Sequence, residues 1–167
     1  MITEYDDNYI AREVAVAALA VAPNLTNDAE VYLSTLMVDL MTNWVPEDFD
    51  KPLALWLAEL QSAPMYERAT GLRKLGNTAL LKIGLFRSAF AATGLSPAYY
   101  VSIGSNAYRS SANIYKTLQV YTGLSVYLNA MAAQVVEASD VLVVLQVMCL
   151  NWRLRGWFRQ RTCSLGS

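Results

Sequence analysis

The chain has 167 residues, enough for one domain that buries roughly 70% of its unfolded surface, and its 54% hydrophobic and 16% charged residues give it more apolar surface than a small monomer of average composition hides. It contains no histidine, which excludes His-Ser and His-Cys nucleophile pairs, imidazole ligation of haem and the metallohydrolase helix motif. The net charge of -1 conceals a division: twelve acidic and two basic residues up to Glu67, two acidic and eleven basic from Arg68 onward, for net charges of -10 and +9.

Apolar residues recur at spacings of three and four almost throughout, without sustained alternation, so the expected fold is an all-α bundle of about six to seven helices in one domain spanning 1–167. Asp6, Asp7 or Asn8 caps a first helix, IAREVAVAALAVA, that stops before Pro23 because proline disfavours helical geometry in the residue ahead of it. Asn27 and Glu30 have the spacing of a capping box and open a second helix that ends before Pro46. Asp50 and Pro52 start a short third helix, PLALWLAEL, and Ser62 with Pro64 starts a fourth. The fourth pattern runs from Met65 to about Ala92 and contains Gly71, Gly76 and Gly84, which predicts a kink or short break near Gly76-Asn77.

Ser96-Pro97 opens the next helix, which Gly123 closes, and the remainder forms one long helix or two with a joint near Ser139. Residues 163–167 read as a frayed tail. Two separated cysteines, Cys149 and Cys163, point to a reducing, cytoplasmic setting, and the acidic start MITEYDDNY has the wrong polarity for a secretory leader.

Few motifs carry chemistry. No phosphate-binding glycine loop is present, and two cysteines cannot make a zinc site unaided, so no metal or cofactor is expected. Glu47, Asp48 and Asp50 cluster near Pro46 and Pro52, where acidic residues also favour helix starts, and they are read as capping. On a helix, Gly104, Tyr108, Ser111 and Tyr115 share one face that alternates small and aromatic residues. That face suits close helix packing and, at Gly104, Ser111 and Tyr115, a subunit interface. The competing reading is a pocket wall for a small anionic or aromatic ligand, built from Arg73, Asn77, Tyr100, Tyr108 and Arg109.

The runs RKLGNTALLKIGLF and PAYYVSIGSNAY resemble a motif pair of an uncharacterised family of bacterial all-helical proteins, over about residues 65–120. The resemblance implies a bacterial source and a helical fold, and no activity. The family pattern carries an aspartate where this chain has Asn77, which removes a carboxylate and argues against acid-base work at that position.

Beyond Leu150, Trp152, Trp157 and Phe158 interleave with Arg153, Arg155, Arg159 and Arg161. This basic aromatic segment is expected to dock on acidic helices, with Trp152 and Trp157 in an interface. An anionic membrane surface is the rival partner. Nucleic acid ranks last, because the basic residues form no recognisable binding motif. The expectation from the whole is a non-enzymatic helical interaction or regulatory module that self-associates. Peripheral membrane association and a ligand pocket, with an enzyme as one form of the latter, are the alternatives.

Overall fold

A computed structural model of the chain describes residues 7–42, 49–85, 87 and 94–148, and these form an all-α bundle of seven helices with no strand among the described residues. They are α1 (Asp7–Val21), α2 (Asn27–Thr42), α3 (Leu53–Leu60), α4 (Met65–Gly84), α5 (Pro97–Leu118), α6 (Thr122–Ala133) and α7 (Val135–Met148). The basic aromatic segment with Trp152 and Trp157, the tail and the acidic pair Glu47 and Asp48 lie outside the described residues.

The helix starts follow local chemistry, with small corrections. Thr26, rather than Asn27, caps α2: its hydroxyl accepts from the Ala29 N–H at 3.3 Å, and α2 begins at Asn27 itself. Pro52 and Pro64 stand immediately ahead of α3 and α4, neither with a side-chain cap. Ser96 caps α5 as expected, accepting from the Tyr99 N–H at 3.3 Å with Pro97 in the first turn.

Three interior expectations are corrected. Helix α4 runs unbroken through Gly76-Asn77, because its glycines make room rather than a break. A Cβ on Gly76 would lie 2.9 Å from ring carbons of Tyr108, and one on Gly84 would lie 2.6 Å from the Cβ of Leu142. Helix α5 ends at Leu118, not Gly123: Gln119 takes the left-handed conformation (φ 56°), its N–H donating to Lys116 O at 3.2 Å while the Val120 N–H donates to Tyr115 O at 3.2 Å. Those two bonds are the Schellman pattern, with glutamine where glycine is usual. The joint in the C-terminal half falls at Gln134 instead of near Ser139, and α6 and α7 meet there at 82°.

The bundle is organised around two features. Helices α4 and α5 form an antiparallel pair, the most extensive contact in the fold, with Gly104 over Ala79 and Tyr108 over Gly76. Helix α7 is apolar on most faces and touches α1, α2, α4, α5 and α6, burying Val135, Ala138, Val141, Leu142 and Leu145 as a central strut. Among the described residues no single helix is long and apolar enough to cross a membrane. Helices α6 and α7 together have the length and composition, but they are bent apart, and Leu128 and Met131 from α6 and Val141, Leu142 and Leu145 from α7 are buried in the core.

The α6–α7 elbow is tied to the other side of the bundle. The Gln134 side chain accepts from the Thr26 N–H at 2.8 Å and donates to Asn24 O at 2.8 Å, a two-point clasp on the loop between α1 and α2. Helix α2 thereby packs on α6. Its approach to α4 is looser, and the candidate site lies there.

Candidate functional site

On α2, Tyr32, Thr35, Leu36 and Asp39 fall on one face at helical spacing. On α4, Arg73 and Asn77 are one turn apart, with Lys74 beside them. On α6, Leu124 and Tyr127 are one turn apart. These residues, with Val31, line a cleft of about 480 Å³ between the three helices. That size is within the range of roughly 300–1,000 Å³ usual for small-molecule sites.

A polar cluster forms its inner wall. The Tyr32 hydroxyl donates to Asn77 Oδ1 at 2.7 Å and the Tyr108 hydroxyl donates to the same oxygen at 2.8 Å. The two rings meet edge to face with centroids 5.8 Å apart. Burial raises the pKa of both phenols well above the ordinary tyrosine value, so both stay protonated donors. Two donors on one amide oxygen leave the Asn77 amide in a single orientation, with its nitrogen, which makes no bond within the described structure, on the accessible side.

Arg73 lies beside this cluster, close enough for its charge to oppose the upward shift of Tyr32 and Tyr108. Its Nε is buried and has no hydrogen-bond partner. Arg68 shows the contrast, because it spends its guanidinium on backbone: Nε donates to Leu60 O at 3.1 Å, and one terminal nitrogen donates to Gln61 O at 2.9 Å and Ala63 O at 3.0 Å. Arg68 closes the turn after α3. Arg73 has no such structural duty in view.

The structure thus brings together Arg73, Asn77 and Tyr108 from the sequence-derived set and separates the other two. Tyr100 is buried in another part of α5, its ring 6.0 Å from Lys82 Nζ. Arg109 is exposed and reaches only the Ser105 hydroxyl, at 3.5 Å. The proposed interface face is occupied within the chain. Gly104 packs on Ala79, Ser111 donates to Ala69 O at 2.7 Å, and the buried Tyr115 shares a hydrogen bond with Thr70 at 3.0 Å. The close approach expected of that stripe is made by α4 of the same chain, which leaves none of the three for a partner subunit.

Sequence reasoning missed Tyr32, Asp39, Leu124 and Tyr127. The stripe Tyr32, Leu36, Asp39 was a signal in itself, since it sets polar groups on a face also needed for packing. Nothing local connects Tyr32 with Asn77, 45 residues away. A second omission is Lys82, a lone cation in the apolar run ALLKIGLF. It is buried, with its ammonium 5.4 Å from the centroid of the Phe49 ring, and burial lowers its pKa to about 8 against the opposing pull of Asp50.

Among the described residues no three acidic or cysteine side chains come together in a way that could hold a metal ion. Compared with known proteins, the chain matches no family model, no curated protein and no solved structure.

Proposed function

We propose that this protein is a helical binding module whose site is the cleft between α2, α4 and α6, and that it binds a small molecule there rather than transforming one. One observation carries the reading: the buried, unpartnered Nε of Arg73 on the wall of a cleft of ligand size. A buried polar group without a partner costs about 1–3 kcal/mol, and more when charged. A fold retains such a group when it does something other than hold the fold together. The surrounding chemistry supports binding over turnover, because Asp39 is the one acidic side chain among the described residues that line the cleft and the nearby phenols are held protonated.

The test is a stability measurement with an unusual sign. Arg73→Met keeps the aliphatic stem and removes the buried, unpartnered N–H, so the free protein is expected to become more stable, by about 1 kcal/mol in urea unfolding. An Arg73→Met protein destabilised by more than about 1 kcal/mol would make Arg73 a structural residue and sink the reading.

Self-association is a second reading, favoured by α1. Arg12, Val16 and Leu19 form a stripe on its outer face, with Val16 55% and Leu19 78% exposed, while Val14, Ala17 and Ala18 face the core. Apolar side chains this exposed and adjacent are the usual material of a homodimer contact. A wild-type monomer mass in light scattering across a wide concentration range excludes it. A dimer that Leu19→Lys converts to monomer supports it.

A further inference from the structure

The donors and acceptors of the cleft are unequal, and the inequality selects a ligand. On its inner wall, Asn77 Oδ1 is already saturated by two phenols, so the amide offers its nitrogen, a donor. Arg73 offers only donors, and its terminal nitrogens, like the Asn77 nitrogen, are accessible while Nε is buried. Lys74 adds an exposed ammonium at the edge. Because Arg73 and Asn77 are one turn apart on α4, a planar guanidinium and an amide N–H are presented side by side. Facing them are Val31 and Leu36 on α2 and Leu124 and Tyr127 on α6, mostly apolar surface.

We infer that the cleft takes a small monocarboxylate with an aryl or alkyl body, its carboxylate held by Arg73 and the Asn77 amide and its body lying against Leu36, Leu124 and the Tyr127 ring. A guanidinium matches the two oxygens of a planar carboxylate in parallel hydrogen bonds, which an ammonium does not. Inorganic phosphate has no body to lie against the apolar surface of Val31, Leu36, Leu124 and Tyr127, which disfavours it as the ligand. The phenols beneath act through Asn77: held protonated, they fix which end of the amide meets the ligand.

This inference rests on the cleft being a ligand site, and the experiment separates the two. Isothermal titration of the full chain compares 4-phenylbutyrate with 4-phenylbutyramide, which has the same body and no charge, and with inorganic phosphate. The acid is expected to bind at least about tenfold more tightly than the amide, the value of a charge-assisted pair. Arg73→Met should weaken the acid at least about tenfold and the amide less, so that the preference between them closes. Asn77→Asp keeps an oxygen acceptor for both phenols and so preserves the wall, but pairs Arg73 internally, and it too should abolish the preference. Acid and amide binding equally would overturn the carboxylate inference and leave the cleft as a site for neutral ligands. Phosphate binding as tightly as the acid would overturn the role of the apolar body. Binding of none of the three at millimolar concentration would overturn both the inference and the reading of the cleft on which it rests.

Discussion

Gly76 decides whether the inner wall of the cleft can exist. The Tyr108 ring lies across the backbone of α4 at that point, and from there its hydroxyl reaches Asn77, one residue further along. A methyl group on Gly76 would stand 2.9 Å from two ring carbons, closer than real contacts allow, so either the ring or the helix must move. Gly76→Ala is therefore expected to destabilise the fold by about 1–3 kcal/mol. Gly104 has more room, since its added Cβ would meet Ala79 Cβ at 3.3 Å with the next atoms at 3.9 Å, and Gly104→Ala should cost less than Gly76→Ala. Urea denaturation of the two variants checks the order. A reversed order would mean that the Tyr108 ring yields more easily than the α4–α5 backbones, and that Asn77 is not rigidly held.

Among the elements, the turn between α5 and α6 carries the clearest strain. Gln119 and Tyr121 both have positive φ, 56° and 49°, a region that costs a residue with a Cβ about 1–2 kcal/mol. Tyr121 is compensated by its ring, which meets those of Tyr115 and Tyr66 at 5.8 and 6.3 Å. Gln119 is exposed and no bond involves its side chain, so Gln119→Gly is expected to stabilise the protein by about 1 kcal/mol, measured as a higher urea midpoint with unchanged slope. The same turn shows what a sequence conceals. Helix starts were legible because Ser96, Pro97, Pro52 and Pro64 act through their own geometry. The end of α5 was not, because the left-handed residue is a glutamine, and the nearby Gly123 offered a plausible but wrong stop. Gly76 likewise reads as a helix breaker until the ring that needs its missing Cβ is placed, 32 residues further along the chain. Arg73 and Asn77 were legible as members of a candidate pocket wall, whereas the opposite wall, on α2 and α6, became part of the site only through tertiary packing.

For the whole molecule, the central placement of α7 and the pairing of α4 with α5 bury titratable groups whose environments oppose one another, and this gives stability a distinctive alkaline profile. Lys82 titrates near 8 in the folded chain against an ordinary value of 10.5, because burial disfavours its ammonium more than Asp50 favours it. Between about pH 8 and 10.5 the unfolded chain therefore holds a proton that the folded chain has released, and the Lys82 contribution to stability rises with pH across that window. Tyr32 and Tyr108 act in the opposite sense. Their folded pKa values lie above the ordinary 10.0, so above pH 10 the unfolded chain loses protons that the folded chain keeps, and their contribution falls. Two variants isolate these effects from the other titrating groups. The stability of Lys82→Met relative to wild type should decline from pH 8 to 10, as wild type sheds its buried charge and the variant has none to shed. The stability of Tyr108→Phe relative to wild type should improve above pH 10. Urea unfolding at half-unit steps from pH 7 to 11 measures both differences. A Lys82→Met difference that stays flat across the range would place the ammonium in contact with water, and a flat Tyr108→Phe difference would mean that the wall of the cleft opens before its phenols ionise.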